Sequence, residues 1–394
     1  MRISCHRERV IERGDLSLDC RVPLSGIAMT KGQNMKIGID VSQIVYGTGV
    51  SVYTWRLVEN LLKTDKENEY VLFGGSFRQI SNLKSQISRL RGNFESKLYP
   101  IPPAVADFVW NRTHILSIDK LIGRVDIFHS SDWTQPPSES LKVTTVHDLM
   151  ALKFPELVHP KIVRVQKRRL EKVKTEVDRI IVPSEHTKKD LEELGFIKNK
   201  IKVIHEANNI SISSNAEVDK VKSKYGLKGK YFLAFATGAY KNVKNVVKAC
   251  EKHLNDFTQL VLIGNNPIGN RFEQKNLIHT GYISDKDYAG LMTGAKLLIF
   301  PSLYEGFGIP ILDAFACETP VVTSNISSMP EVAGNAAVLV DPNKVGDIEK
   351  GINLALEKRE YWINLGLMQL KNFSWRKTAT ETLELYKELY LKGR

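Results

Sequence analysis

At 394 residues the chain is too long for one ordinary domain and suits two of roughly 170–200 residues. Hydrophobic residues make up 42% and charged ones 25%, the balance of a globular protein, and no run of 18 apolar residues is present to span a bilayer. The net charge of +12 suits nucleic acid, anionic lipid or phosphorylated small molecules, while four scattered cysteines without C-x-x-C spacing argue against a structural zinc site and fit a reducing, cytoplasmic compartment.

Residues 1–34 are polar and patternless, with no apolar centre for a secretory signal. They are expected to be an extension or to precede the true start at Met29 or Met35, the other reading being a basic arm. From Met35 onward, short β-rich runs alternate with amphipathic stretches, the grammar of parallel-sheet α/β domains. Residues 36–41 predict a first strand, 46–50 a glycine-bearing loop and 51–63 a helix; residues 70–74, 127–129, 143–147 and 179–183 predict further strands. Residues 35–207 therefore read as one Rossmann-like domain, the polar stretch 208–215 as a linker, and 216–374 as a second domain of the same kind. Its strands are expected at 231–236, 259–263, 278–282, 297–301, 320–323 and 337–340, and the amphipathic end, within 375–394, as a helix that packs back on the first domain. Two such halves imply a crevice at the carboxyl ends of their strands, where open sheets bind ligands.

The stretch LIFPSLYEGFGIPILD, residues 298–313, carries the most chemistry. An apolar strand runs into a loop holding Glu305, Gly306, Phe307 and Gly308, and a helix opens at Ile309-Pro310. Proline suits a first helical turn, and glycines ahead of a helix let an anionic group approach unpaired N–H groups at the positive end of the dipole. Glu305 in the loop and Asp313 one turn into the helix can face one crevice, the first reading sugar hydroxyls and the second ribose hydroxyls.

This stretch resembles the donor-binding signature of the family-4 retaining glycosyltransferases, which have the GT-B fold of two facing Rossmann-like domains. The family's pattern is a glutamate, seven residues and a second glutamate; here the spacing is kept but the second acid, Asp313, is one methylene shorter. The resemblance covers nearly all of residues 35–394. It implies a nucleotide-sugar donor bound by the second domain without a metal or other cofactor, and transfer to a glycan or lipid-linked acceptor. IGIDVSQIVYGTGVSVYTWRLVENLL is similar to the family's opening and implies that Gly47 and Gly49 lie beneath the donor phosphates. VTTVHDLMALKFPE implies that His147 and Asp148 face the reacting sugar. FLAFATGAYKN implies that Lys241 holds the diphosphate, although Tyr240 and Ala236 stand where the family commonly has an arginine. HTGYISDKDYAG implies that the backbone at Tyr282 and Ile283 borders the nucleobase, with the next helix capped by Ser284 or Asp285. The combination of these segments with SSMPEVAG is most similar to mannosyltransferases of bacterial surface polysaccharide, so GDP-mannose is the expected donor.

The segment from Lys161 to Lys174 carries seven basic residues and one acid on a predicted helix, and reads either as a solvated face or as a dock for an anionic membrane surface. No aromatic-interleaved basic motif or helix-turn-helix signature supports nucleic acid. Two other readings stay open, a GT-B-type nucleotide-sugar epimerase and a non-catalytic binder of sugar nucleotides.

Overall fold

The computed structural model describes residues 34–264 and 276–393. The expectation for residues 1–34 falls, but for Asn34, outside them. The apolar runs pair into two wholly parallel sheets. The first contains β1 (Lys36–Asp40), β2 (Glu69–Gly75), β3 (Phe94–Tyr99), β4 (Ile127–Ser130), β5 (Leu141–Thr145), β6 (Arg179–Val182) and β7 (Ile201–Val203), in the order β3-β2-β1-β4-β5-β6-β7. The second contains β8 (Lys230–Phe235), β9 (Thr258–Ile263), β10 (Leu277–Gly281), β11 (Leu297–Phe300), β12 (Val321–Ser324) and β13 (Val338–Val340), in the order β10-β9-β8-β11-β12-β13. Central strands such as IFHS and LLIF are buried along their whole length, the continuous apolar pattern of parallel sheets covered by helices on both faces. Strand order reverses between β1 and β4 and again between β8 and β11, the kind of position at which open sheets bind ligands beyond the carboxyl ends of their strands.

Two strands were not anticipated. β3 is half exposed and reads FESKLY, and β7 has only three residues. Both lie at sheet edges, where one neighbour instead of two leaves little apolar patterning to read. The strand expected at 143–147 stops at Thr145. Val146 still donates its N–H to Ile181 O at 2.9 Å, after which the chain turns and releases His147 and Asp148 into a loop. The predicted loop at 46–50 is shorter too: a 3₁₀ turn occupies Ser42–Tyr46, Gly47 takes φ 65°, and a helix starts at Gly49 with Thr48 as its cap.

The last helix, Trp375–Lys392, is capped by Ser374 and lies across the helix Gly49–Thr64 of the first domain, burying Ala379, Thr382, Tyr386 and Leu389. The chain thus crosses between domains twice, after β7 and before Trp375. The two crossings touch, because Trp375 Nε1 donates to Asn208 O at 2.9 Å and Thr378 Oγ1 to His205 O at 2.7 Å.

Candidate active site

The loop that leaves β11 ends at Gly308, whose φ of 109° favours glycine, before the helix Ile309–Ala316 with Pro310 in its first turn. Serines clamp its backbone. Ser327 Oγ donates to Glu305 O at 2.8 Å and accepts the Glu305 N–H at 3.1 Å, and Ser328 Oγ donates to Phe307 O at 2.6 Å. Held this way, Glu305 accepts a 2.6 Å hydrogen bond from Lys241 Nζ, which comes from the turn after β8. The ammonium lies 4.7 Å from the Phe300 ring centre and 4.9 Å from that of Tyr240. The two charged side chains are only 9% and 14% exposed. Burial pulls the lysine pKa down, but the Glu305 carboxylate outweighs it and holds the ammonium above its ordinary value.

On the other wall, His147 and Asp148 follow β5. His147 Nδ1 lies 3.0 Å from Glu206 Oε1, and a carboxylate only accepts, so Nδ1 carries the proton and Nε2 is left for a ligand. Burial works against the imidazolium, yet the bond to Glu206, backed by Asp132 and Asp148, raises the pKa above its ordinary value. Asp148 keeps an exposed face, yet desolvation by the surrounding protein and repulsion from Asp132 push its carboxyl up to about 6.

The two walls touch at Gly306. A Cβ on that residue would sit 1.8 Å from His147 O and 2.9 Å from Asp148 Cβ, and its carbonyl accepts from Ser184 Oγ at 2.6 Å and Thr187 Oγ1 at 3.1 Å. Tyr304 beside it donates to Asp190 at 2.7 Å and accepts the Leu149 N–H at 3.2 Å. A second contact closes the far end: the hydroxyl of Tyr282, a ring 83% exposed, reaches to 3.1 Å from where a Gly47 Cβ would stand. Of the residues singled out in the sequence, His147, Asp148, Glu305, Gly306 and Lys241 therefore meet in one place, and Gly47 meets Tyr282 in another. Ile283 packs on the core, and Ser284 caps the next helix by accepting the Asp287 N–H.

The family description "Glycosyltransferase Family 4" matches residues 47–210, and "Glycosyl transferases group 1" matches residues 217–366. The chain is 29% identical over 388 residues to the O-antigen chain mannosyltransferase B of Escherichia coli, covering 90% of this chain and all of that one. The chain belongs to the family-4 glycosyltransferases. A 119-residue stretch is 38% identical to the serotype-specific mannosyltransferase WbdA of Escherichia coli, covering 29% of this chain and 15% of that protein. In structure the transferase is similar to sucrose-phosphate synthase of Thermosynechococcus elongatus, with a TM-score of 0.67 at 16% identity over 91% of this chain and 100% of that one; the likeness shows the GT-B fold. Membership sets the epimerase and the non-catalytic readings aside.

Asp313 stands apart from the other site residues of the transferase. It is 2% exposed, and its carboxylate accepts from the linker N–H groups of Asn209 at 2.7 Å and Ile210 at 3.3 Å and from the Tyr288 hydroxyl at 3.0 Å. Glu305 and Asp313 thus do not share one open crevice wall as the spacing suggested; the shorter acid is turned to the interdomain linker. Burial pushes its carboxyl up to about 6, so the fold favours the protonated form and loses stability as pH rises through that value. Asp313→Asn removes the charge, keeps the Asn209 and Ile210 bonds on Oδ1 and reverses the third, its amide donating to the Tyr288 hydroxyl. It is expected to melt above wild type at about pH 7.5, with the gap closing by about pH 4, where both side chains are neutral. Parallel melting curves over that range check this.

The basic helix, Pro160–Glu176, is less uniformly solvated than its sequence implies. Arg169 is fully buried, donating to Ser131 O at 3.2 Å and Thr145 O at 2.9 Å, and Arg168 pairs with Asp107. The exposed basic residues at its start are Lys161, Arg164 and Lys167. Sequence reasoning missed Glu206, Asp132 and Tyr53 around His147; the only signal was for Asp132, an acid just past a predicted strand end. Among the described residues, no helix is long and apolar enough to cross a membrane, and no three metal-ligating side chains converge.

Proposed function

We propose that the transferase moves mannose from GDP-mannose, with retention and without a metal, onto the terminal sugar of a glycan or lipid-linked acceptor in surface-polysaccharide synthesis. The observation that carries this reading is the buried Lys241–Glu305 pair facing His147 and Asp148 across Gly306. Its similarity to an O-antigen mannosyltransferase and to the mannosyltransferase WbdA favours mannose.

In this reading the donor diphosphate takes Lys241 from Glu305 and lies at the N–H end of the helix Ile309–Ala316, while the freed carboxylate accepts from hydroxyls of the sugar. The ribose lies toward Asp313, where its hydroxyls compete with Tyr288, and the base lies beneath Tyr282. The anomeric C–O bond breaks with its electrons passing to the diphosphate, whose charge is met by Lys241 and helix amides. The acceptor hydroxyl bonds to the anomeric carbon from the same face, and its proton passes to the departing phosphate oxygen. His147 orients the sugar through Nε2. The Gly306 contact keeps water, the competing acceptor, out. In this reading Lys161, Arg164 and Lys167 meet an anionic membrane surface, on a helix that packs against residues Asp107–Thr113, where Phe108 is exposed.

A thermal-shift series in EDTA with GDP, UDP and dTDP tests the donor. GDP is expected to shift melting most, by the equivalent of about 2.7 kcal/mol at a hundred times its Kd. Turnover of GDP-mannose is expected to survive EDTA. A larger shift with UDP would reassign the base, and loss of turnover restored by Mg²⁺ or Mn²⁺ would overturn the metal-free mechanism.

A further inference from the structure

We propose that Tyr53 is a positioning residue for His147, held from behind by a buried hydrogen-bonded chain that starts on the last helix. The inference rests on the reading that His147 takes part in transfer.

The Tyr53 ring meets the His147 ring edge-on, with centres 4.5 Å apart and planes at 81°. Glu206 fixes one nitrogen of that imidazole but leaves the ring free to swing about the bond; the edge contact removes this freedom. Tyr53 is itself fixed at both ends. Its hydroxyl lies 3.1 Å from Thr145 Oγ1, which lies 2.9 Å from His129 Nε2, and His129 Nδ1 lies 2.6 Å from the Tyr386 hydroxyl. All four side chains are buried, and burial holds the His129 pKa down to about 3, so that ring stays neutral and keeps one donor and one acceptor nitrogen. On its other side the Tyr53 ring packs against Trp375, 5.9 Å between centres. Trp375 also bonds the linker at Asn208. Tyr53 therefore joins both interdomain crossings to the imidazole, and the orientation of His147 depends on how the last helix is seated.

The test uses the full chain with ¹⁵N-labelled histidine and no ligand, His147 being assigned by its loss in H147N. At a pH above the raised titration of its imidazole, wild type is expected to show His147 in one neutral tautomer with the proton on Nδ1. Tyr53→Leu should move its shifts toward a tautomer average, and the conservative Tyr386→Phe should do the same to a smaller extent. Unchanged His147 shifts in both folded variants overturn the inference. With GDP-mannose and octyl α-mannoside, Tyr53→Leu should lower kcat roughly tenfold with the donor KM within about twofold, and should add nothing in an H147N background. A loss that multiplies with H147N means Tyr53 acts elsewhere and overturns the inference. Wild-type turnover by H147N alone overturns the role given to His147 and leaves the placement of its ring to the spectra.

Discussion

Lys241→Met is expected to lower kcat/KM by roughly 10²–10³, the cost of removing one fixed positive group from a developing charge in a water-poor site. The loss in rate comes from the diphosphate, which loses its cation; in the free enzyme the Glu305 carboxylate, 14% exposed, also loses the partner 2.6 Å away that offsets its desolvation, which lowers stability. Lys241→Arg should recover only part of the rate, because the planar guanidinium does not fit the space between the Phe300 and Tyr240 rings that the ammonium fills. Donor titration and melting curves on the same variants separate binding from folding. Near-wild-type kcat/KM in a folded Lys241→Met protein would remove Lys241 from the donor site.

Gly306→Ala should be as severe, for a different reason. Its new methyl would stand 1.8 Å from His147 O and 2.8 Å from the same carbonyl carbon. A methyl has no alternative rotamer and its neighbour is backbone, so the walls must part by more than an ångström. A misplacement of that order costs roughly a hundredfold in rate. Both domains keep their own sheets, so the nucleotide, held mainly by the second domain in the proposed function, should still produce most of its thermal shift. The expected signature is lost transfer with retained nucleotide binding and a larger radius in solution scattering. Unimpaired transfer would mean that the Gly306 contact is not part of the working conformation.

Much of the candidate site's loop geometry was legible because its residues are neighbours in the chain. Glu305, Gly308 and Pro310 belong to one strand-loop-helix unit, and a positive φ, an N-terminal turn and a charged loop residue each leave a local mark in sequence. Lys241 left no such mark of its own: it was singled out through the resemblance of FLAFATGAYKN to the family's turn. The repeated alternation of apolar runs and amphipathic helices likewise determined two parallel-sheet domains, since only helices covering both faces let strands be apolar throughout. The edge strands β3 and β7 left no such mark.

What only the tertiary structure decided are the contacts between residues far apart in the chain. The spacing from Glu305 to Asp313 is a local fact, but whether Asp313 faces the crevice depends on Asn209 and Ile210, whose N–H groups reach its carboxylate from the linker. Arg169 looked like its basic neighbours, yet it lies beneath the loop after β4 and is fully buried. Gly306 is an ordinary loop glycine until the other domain brings His147 O against it. Periodicity reports which face of an element is apolar; it does not report which distant element covers that face, and burial, ion pairing and pKa follow from the covering element.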